Sequence, residues 1–534
     1  MNTGSLPPPT AFGLPPTFAQ WRQDQVEALS LILDSPTRYV ALTMPTGAGK
    51  SLCYIAAAVL SGKRTVILTS TKGLQDQLSF DYGDLSVDVR GQGSYPCLGV
   101  APGQVLEDFA PHKVDDPAYL PMCDEGPCHA GVVCSLKMGG CLYYDHYRKA
   151  LTSNVVITNY AYWLAQHRYG DGMGKVDLLI LDEAHEAEME LAGSLTIQLP
   201  RYELQLAGVT TPDQNATLSQ MRDWALYWGN RVRKQVESYG IPETSKEVHQ
   251  ARRRMRVANA LDQMRQVTTD GNWIADHTDY AYEFKIVRPS AYRESLLREA
   301  GKVVLTSATL TTETLRHLGI PVQETTMWEC PSRFPVANRL TTIIPTVRVD
   351  TRMTEASETI WLKRMDQIIA PRQERKGILH TISYKRRDLV LSRSDYSELM
   401  VTHSNKPGEA AKVVGRFRKQ QSPGVLVSPS VMTGWDFPYD QCRYQIITKL
   451  PFPDSRSLVL KARAESDERY SAYLTMLALV QAVGRGTRAV DDWCETFIID
   501  DHARWFIPKY KDLAPKWFLE AVRTSLTLPK PYST

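Results

Sequence analysis

The stretch Met44-Pro45-Thr46-Gly47-Ala48-Gly49-Lys50-Ser51 lies between a β-type run, Tyr39-Val40-Ala41-Leu42-Thr43, and an apolar helical run from Leu52 to Leu60. A glycine-rich turn in that setting is a phosphate-binding loop, because its glycines let backbone N–H groups close around a triphosphate at a helix N-terminus. Lys50 supplies charge to the β and γ phosphates, and the Ser51 hydroxyl is placed for Mg²⁺. Thr46, Gly47, Ala48, Gly49, Lys50 and Ser51 are therefore the expected ATP contacts. Met44 stands where a small residue is usual. Further on, Leu179-Ile180-Leu181-Asp182-Glu183-Ala184-His185 reads as a second buried strand ending in two carboxylates. There Asp182 is expected to hold Mg²⁺ and Glu183 to orient the attacking water.

The chain has 534 residues, enough for several domains, and its apolar fraction of 43 % is that of a soluble protein. Its net charge of +3 means that a polyanion must be met by a local basic groove and not by the overall field. The N-terminus lacks a basic-then-apolar signal and no apolar run approaches a membrane span, so a cytoplasmic location without membrane contact is expected. Of nine cysteines, Cys97, Cys123, Cys128, Cys134 and Cys141 crowd one window poor in periodic apolar residues. Such a segment needs a metal to fold. Four thiolates suit zinc or a [4Fe-4S] cluster. The gaps C-x25-C-x4-C-x5-C-x6-C lack the short pairs that zinc favours and lean toward the cluster.

Strand-like and helical runs alternate, as expected for two α/β domains with parallel sheets in tandem. Thr65 to Thr69, Asn154 to Thr158, Asp177 to Leu181 and Val303 to Thr306 join the phosphate-loop strand in a first sheet. After a Pro- and Thr-rich stretch near Arg339 to Thr346, a second set comprises Gly377 to Thr381, Leu399 to Thr402, Gly424 to Ser428, Arg443 to Lys449 and Thr496 to Ile499. Between His185 and Leu305, Met221, Trp224, Trp228 and Val232, then Met255, Ala258, Leu261 and Met264, recur at helical spacing as the core stripes of a helical hairpin. Arg252, Arg253, Arg254 and Arg256 read as a solvated face of it, with a nucleic-acid contact as the alternative.

Two more motifs belong where such domains face one another. Thr306-Ser307-Ala308-Thr309-Leu310 ends a strand with small hydroxyl residues, a relay between the nucleotide and a second ligand. Gln481-Ala482-Val483-Gly484-Arg485-Gly486-Thr487-Arg488 closes an apolar helix with two arginines about one turn apart, suited to reach a γ-phosphate across a cleft. Thr433-Gly434-Trp435-Asp436-Phe437-Pro438 adds a second glycine-acid turn.

Together these motifs resemble, in order and over nearly the whole chain, the superfamily 2 helicases of the iron-sulfur group, the DinG and XPD family, with DinG the nearer. Trp21-Arg22-Gln23-Asp24-Gln25 resembles the adenine-side motif, with Gln25 as base reader and Gln481 as a further nucleotide contact. Thr69 to Gln77 resembles the motif that grips the strand backbone. Gly91 to Cys97 resembles the entry to the cluster domain, with Gln92 where an arginine is common, and Cys141-Leu142-Tyr143-Tyr144 resembles its exit.

The resemblance implies two RecA-like motor domains, with a cysteine-rich Fe-S insertion and a helical arch inserted in the first. The first motor domain is expected over 1–95, 146–190 and 281–335, the cluster domain over 96–145, the arch over 191–280 and the second motor domain over 336–534. It further implies Cys97, Cys128, Cys134 and Cys141 as ligands, with Cys123 the alternative. Thr71, Lys72, Tyr143, Tyr144 and Arg148 are the implied DNA contacts, the tyrosines stacking bases at the fork. The expected activity is ATP-driven 5′-to-3′ translocation on single-stranded DNA and unwinding of duplex, forked or R-loop substrates by a monomer. No exonuclease domain is expected before the phosphate loop. Three other readings stay open: an RNA or RNA-DNA hybrid unwinder; a nucleic-acid binder with a degenerate ATPase, suggested by Met44; and a subunit recruited by a larger CRISPR or phage replication complex.

Overall fold

The computed structural model describes residues 6–16, 18–99, 121–126, 128, 134–213, 215–238, 245–298, 300–432 and 434–533. Its first sheet is built from β1 (Tyr39–Thr43), β2 (Thr65–Thr69), β3 (Val87–Asp88), β4 (Val155–Asn159) and β5 (Val176–Asp182). The chain then leaves for β6 (Ile197–Pro200), β7 (Trp273–Ala275) and β8 (Ala281–Ile286), and returns as β9 (Ala300–Ser307) and β10 (Thr325–Glu329). The first sheet has seven strands in the order β10-β1-β9-β5-β2-β4-β3, every pairing parallel. β1 and β2 are buried at every residue and β5 at all but Asp177, which is why they read as continuous apolar runs.

A second seven-stranded sheet has the order β13-β14-β12-β15-β16-β11-β17. Its strands are β11 (Thr341–Ile343), β12 (Lys376–His380), β13 (Met400–Val401), β14 (Gly424–Ser428), β15 (Tyr444–Ile447), β16 (Glu495–Ile498) and β17 (Val522–Thr524). All its pairings are parallel too. Two tandem parallel-sheet α/β domains of the RecA-like kind are thus the architecture. The expected central strands are present, and β3, β10, β11 and β17, all toward sheet edges, are additions.

Between the strands of the first domain the chain forms a helical pair, Leu218–Ser238 and Ser245–Asp262. Met221, Val232, Ala258, Leu261 and Met264 are buried there, as the helical stripes require. Among the arginines read as a solvated face, Arg256 forms a 3.0 Å ion pair with Glu203; the side chain of Arg252 lies outside the described residues, as does Thr433. One expectation is corrected here: the insertion is not helical throughout. An antiparallel sheet, β6-β8-β7, closes its base. In β8, Tyr282, Phe284 and Ile286 are buried at alternate positions, the period of a half-buried strand. Among the described residues no helix is long and apolar enough to cross a membrane.

Candidate active site

The C-terminal ends of β1, β5 and β9 lie side by side, with Thr43 opposite Ser307 and Asp182 opposite Thr306, so three sequence-distant motifs converge. The loop after β1 reaches the helix Lys50–Ser61 through Gly47 and Gly49, at φ 78° and 85°. That left-handed region is costly for any other residue. Space forbids a side chain as well: a Cβ on Gly49 would lie 2.4 Å from Gln25 Nε2, and one on Gly47 2.7 Å from the Phe334 ring. Met44 is fully buried in the core and its N–H donates to Ser307 O at 2.9 Å, so the unusual residue anchors the loop without entering the phosphate cradle.

Lys50 Nζ lies 2.7 Å from Glu183 Oε1. Burial alone would lower the Lys50 pKa, but the Glu183 and Asp182 carboxylates outweigh it and hold the amine above its ordinary value. Burial likewise opposes ionisation of Glu183, yet Lys50 and His185 pull its pKa down to about 2. Asp182 goes the other way, raised by burial and then by Glu183. A divalent cation would relieve that repulsion, and Asp182 is held ready for one: Thr306 Oγ1 donates to Oδ1 at 3.0 Å, while the Tyr54 hydroxyl lies 3.1 Å from Oδ2 and 3.2 Å from Ser51 Oγ. Asp182 and Ser51 therefore fit Mg²⁺ as two oxygen ligands, both beside the Tyr54 hydroxyl. Glu183 has φ 47°, a left-handed conformation rare for a side-chain-bearing residue, which turns its carboxylate back over the loop. Ser307 Oγ sits 3.3 Å from Glu183 Oε2 and 2.7 Å from His185 Nδ1, linking the carboxylate to the strand-end hydroxyls.

The second domain supplies the facing wall. Arg488 Nη1 is 3.4 Å from Thr46 Oγ1 of the phosphate loop, and its other nitrogen contacts Asp436. Arg485 Nη1 is 3.2 Å from the same Asp436 oxygen. Both guanidinium groups thus share one carboxylate at the mouth of the cleft. Burial lowers the Arg488 pKa, with Asp436 acting against it. Gln481 meets His185 Nε2 across the interface. Gln25 is buried with both ends of its amide engaged: Oε1 accepts from Arg22 N at 3.1 Å and Nε2 donates to Ala48 O at 3.3 Å. Arg22, to which the sequence reading gave no role, donates to the Gly47 carbonyl at 3.2 Å and to that of Ala48, bracing the loop from outside. Tyr54, Asp436 and Phe334 are further residues of the site without a role in the sequence reading; only Asp436, in a glycine-acid turn, carried a signal.

The cysteine insertion packs against the first domain. Cys97 N donates to Pro121 O and Cys123 N to Tyr95 O, both at 2.8 Å, so the two segments run antiparallel at a single bridge. Cys123 Sγ lies 4.0 Å from Cys141 Sγ. Glycines leave room for the other thiols: a Cβ on Gly126 would lie 2.7 Å from Cys97 Sγ, and one on Gly99 3.5 Å from Cys134 Sγ and 3.7 Å from Cys97 Sγ. Cys123 thus stands beside Cys141 and Gly99 lies between Cys97 and Cys134, but among the described residues no three of these thiols fall within 4.8 Å of one another. Cys123, the alternative in the sequence reading, is the thiol beside Cys141.

Tyr143 requires a correction. It is buried, edge-on to Tyr95 at 5.8 Å, with its hydroxyl 3.2 Å from both Tyr162 Oη and Gln166 Nε2, so it cannot stack a DNA base. Tyr144 is half-buried beneath Lys137, whose amine lies 5.1 Å from the ring centre. Arg148 is exposed and tied to Lys137 O and Asp145. Thr71 caps the helix Lys72–Tyr82, accepting from Leu74 N at 3.2 Å; both Thr71 and Lys72 are exposed.

A phosphate loop and an acidic strand end in one RecA-like domain, faced by two arginines from a second, form a cleft with the chemistry to hold a nucleoside triphosphate. Comparison with known proteins agrees. Residues 369–521 match the helicase C-terminal domain family and residues 18–206 match the type III restriction enzyme, res subunit, family. The ATP-dependent DNA helicase YoaA of Escherichia coli (strain K12) is 26 % identical over 26 % of this chain and 29 % of its own length. The Haemophilus influenzae protein of that name is 23 % identical over 26 % and 29 %. The chain thus spans under a third of these curated relatives' length. Among solved structures, one titled XPD_Helicase superposes with a TM-score of 0.60 at 15 % identity, covering 95 % of this chain and all of that one. S. tokodaii Xpd4 follows at 0.56 and 12 %, with 94 % of this chain and 100 % of the other covered. In its two matched domains the chain is thus similar to helicases, and its fold is that of the XPD structures.

Proposed function

We propose that the protein hydrolyses ATP to move 5′-to-3′ along single-stranded DNA and to unwind forked or R-loop duplexes. The observation that carries this reading is Arg488 reaching the phosphate-loop Thr46 while Lys50, Asp182 and Glu183 face it from the first domain. Lys50 neutralises the β and γ phosphates, Asp182 and Ser51 hold Mg²⁺, Glu183 accepts a hydrogen bond from the attacking water, and Arg485 and Arg488 meet charge developing on the transferred phosphoryl group. The arginines must leave Asp436 to do so. ATP binding therefore draws the domains together and hydrolysis releases them, which displaces strand contacts such as Thr71 and Lys72. Phosphate contacts make the grip independent of sequence. Phosphate release with and without single-stranded DNA, together with unwinding of forks of both polarities, tests the reading. No DNA stimulation, or unwinding of 3′-tailed forks alone, refutes it.

In the cysteine insertion, Cys97, Cys123, Cys134 and Cys141 would hold a [4Fe-4S] cluster, which would supply a rigid staple to a segment without a core of its own. We take Cys123 in place of Cys128 because of its contact with Cys141. Zinc is the second reading. Tetrahedral thiolates on zinc sit roughly 3.8 Å apart, close to the 4.0 Å between Cys123 and Cys141. Visible absorbance distinguishes them, since a cluster is brown and a zinc site colourless.

A further inference from the structure

Away from the nucleotide, the two motor domains meet a second time. The helix Thr312–His317 follows the Ser307–Leu310 strand end in the first domain, and Asp467 stands just before the helix Tyr470–Val483 in the second. His317 Nε2 lies 3.7 Å from Asp467 Oδ2 and 3.9 Å from Glu313 Oε2, and the three ligand atoms all fall within 4.8 Å of one another. The His317 side chain is only 10 % exposed, and its Nε2 is buried with no hydrogen-bond partner. A buried polar nitrogen left unpaired is destabilising unless something else satisfies it. Its ring is fixed by Tyr470, edge-on at 5.0 Å, and by Tyr473 at 4.9 Å, so it cannot turn to find a partner.

We propose that Glu313, His317 and Asp467 form a zinc-class divalent metal site that bridges the two motor domains. The donor set of one imidazole and two carboxylates favours a borderline transition ion over Mg²⁺ or Ca²⁺, which take oxygen alone. Tetrahedral N and O ligands at zinc distances stand roughly 3.4 Å apart, so the imidazole–carboxylate separations of 3.7 and 3.9 Å need a few tenths of an ångström of contraction, and the two carboxylate oxygens start within 4.8 Å of each other. The charges also balance, two carboxylates and a neutral imidazole against a dication. Burial supports the neutral form, holding the His317 pKa down to about 4.

The site has an incumbent. Arg316 bridges Glu313 Oε2 at 2.5 Å and Asp467 Oδ2 at 2.6 Å, the same oxygens that face His317. Half its side chain is exposed, so it can swing into solvent when a metal enters. Arg469 Nε, 3.6 Å from Glu313 Oε1, would keep that carboxylate in place. Occupancy would tie the first domain to the helix that carries Gln481 toward the phosphate loop.

The test is Zn²⁺ titration of the full chain by calorimetry and metal analysis, with Co²⁺ as a spectroscopic substitute. Co²⁺ on nitrogen and oxygen gives visible d–d bands without the charge transfer of cysteine-bound metal. Wild type should bind one equivalent with such a spectrum and gain on the order of 3 °C in unfolding midpoint at saturating Zn²⁺. His317→Gln should lose affinity by more than roughly tenfold. Arg316→Ala, which removes the competing cation and leaves all three proposed ligands in place, should bind more tightly than wild type. Equal stoichiometry and affinity in wild type and His317→Gln, or weaker binding in Arg316→Ala, would overturn the assignment.

Discussion

Replacing Lys50 by Met removes the counter-charge of a carboxylate held at 23 % exposure beside a second carboxylate, so its cost can be worked from the site. The fall of the Glu183 pKa from 4.5 to about 2 is worth about 3 kcal/mol of preference for the ionised form in the folded protein. That sits at the lower end of the ~3–5 kcal/mol for breaking a buried pair. Glu183→Gln relieves the orphaned charge, so the double variant should recover much of the loss. A double-mutant cycle of urea unfolding free energies should give a coupling of about 2–3 kcal/mol. The sign with pH follows from the direction of each shift. Because the Glu183 pKa is lowered on folding, its contribution is complete above pH 4.5 and is lost as pH falls from there toward 2. Because that of Lys50 is raised, its share is complete below 10.5 and is lost as pH climbs through the raised value. In Lys50→Met the Glu183 pKa rises, so acid destabilisation should begin at higher pH than in wild type. Free energies that add within about 0.5 kcal/mol, or coincident acid midpoints for wild type and Lys50→Met, would refute the reasoning.

Lys50→Ala and Glu183→Gln should each abolish DNA-stimulated phosphate release, with Glu183→Gln still retaining nucleotide on a filter or by fluorescence. Arg485→Ala and Arg488→Ala should keep nucleotide-free affinity for single-stranded DNA and lose turnover, Arg488→Ala on the order of 10³-fold; a collapse of strand affinity would move them to the DNA groove. Protein purified without air should be brown, and Cys123→Ser should bleach it while Cys128→Ser should not; the opposite pattern restores Cys128 to the ligand set. Tyr143→Phe should lower stability by about 1 kcal/mol through its lost hydroxyl bonds; an unfolding free energy equal to that of wild type would refute the core role.

The motor was legible because its strands are buried on both faces and its phosphate loop is local: Tyr39 to Thr43 and Asp177 to Leu181 announce themselves without knowledge of their neighbours. Edge and very short strands do not. The edge strand Thr325 to Glu329 is largely polar and only partly buried, and Thr341 to Ile343, although buried and paired on both sides, is three residues long, so neither carries a period. The alternation of Tyr282, Phe284 and Ile286 was readable, but the strong helical stripes beside it dominated the reading. In the site, residue types that chemistry demands at fixed spacing were found. Residues that act by contact across the fold, such as Tyr54 on Asp182 or Arg22 on the loop carbonyls, have no local pattern. Tyr143 shows the reverse error: an aromatic beside a motif became a stacking platform, when its partners Tyr95 and Tyr162 make it core.

The strand order of the first sheet has a consequence for synthesis on the ribosome. β1, which carries the phosphate loop, pairs only with β9 and β10. Both follow the cysteine insertion and the helical pair in the chain, so at about 5–20 residues per second the β1 edge waits roughly 10–50 s for a partner. During that interval its buried residues Tyr39, Val40, Ala41 and Leu42 form an apolar strand edge open to any passing chain. A nascent chain arrested before residue 300 should therefore bind chaperones and fail to protect its phosphate loop from protease, however complete β2, β4 and β5 have become.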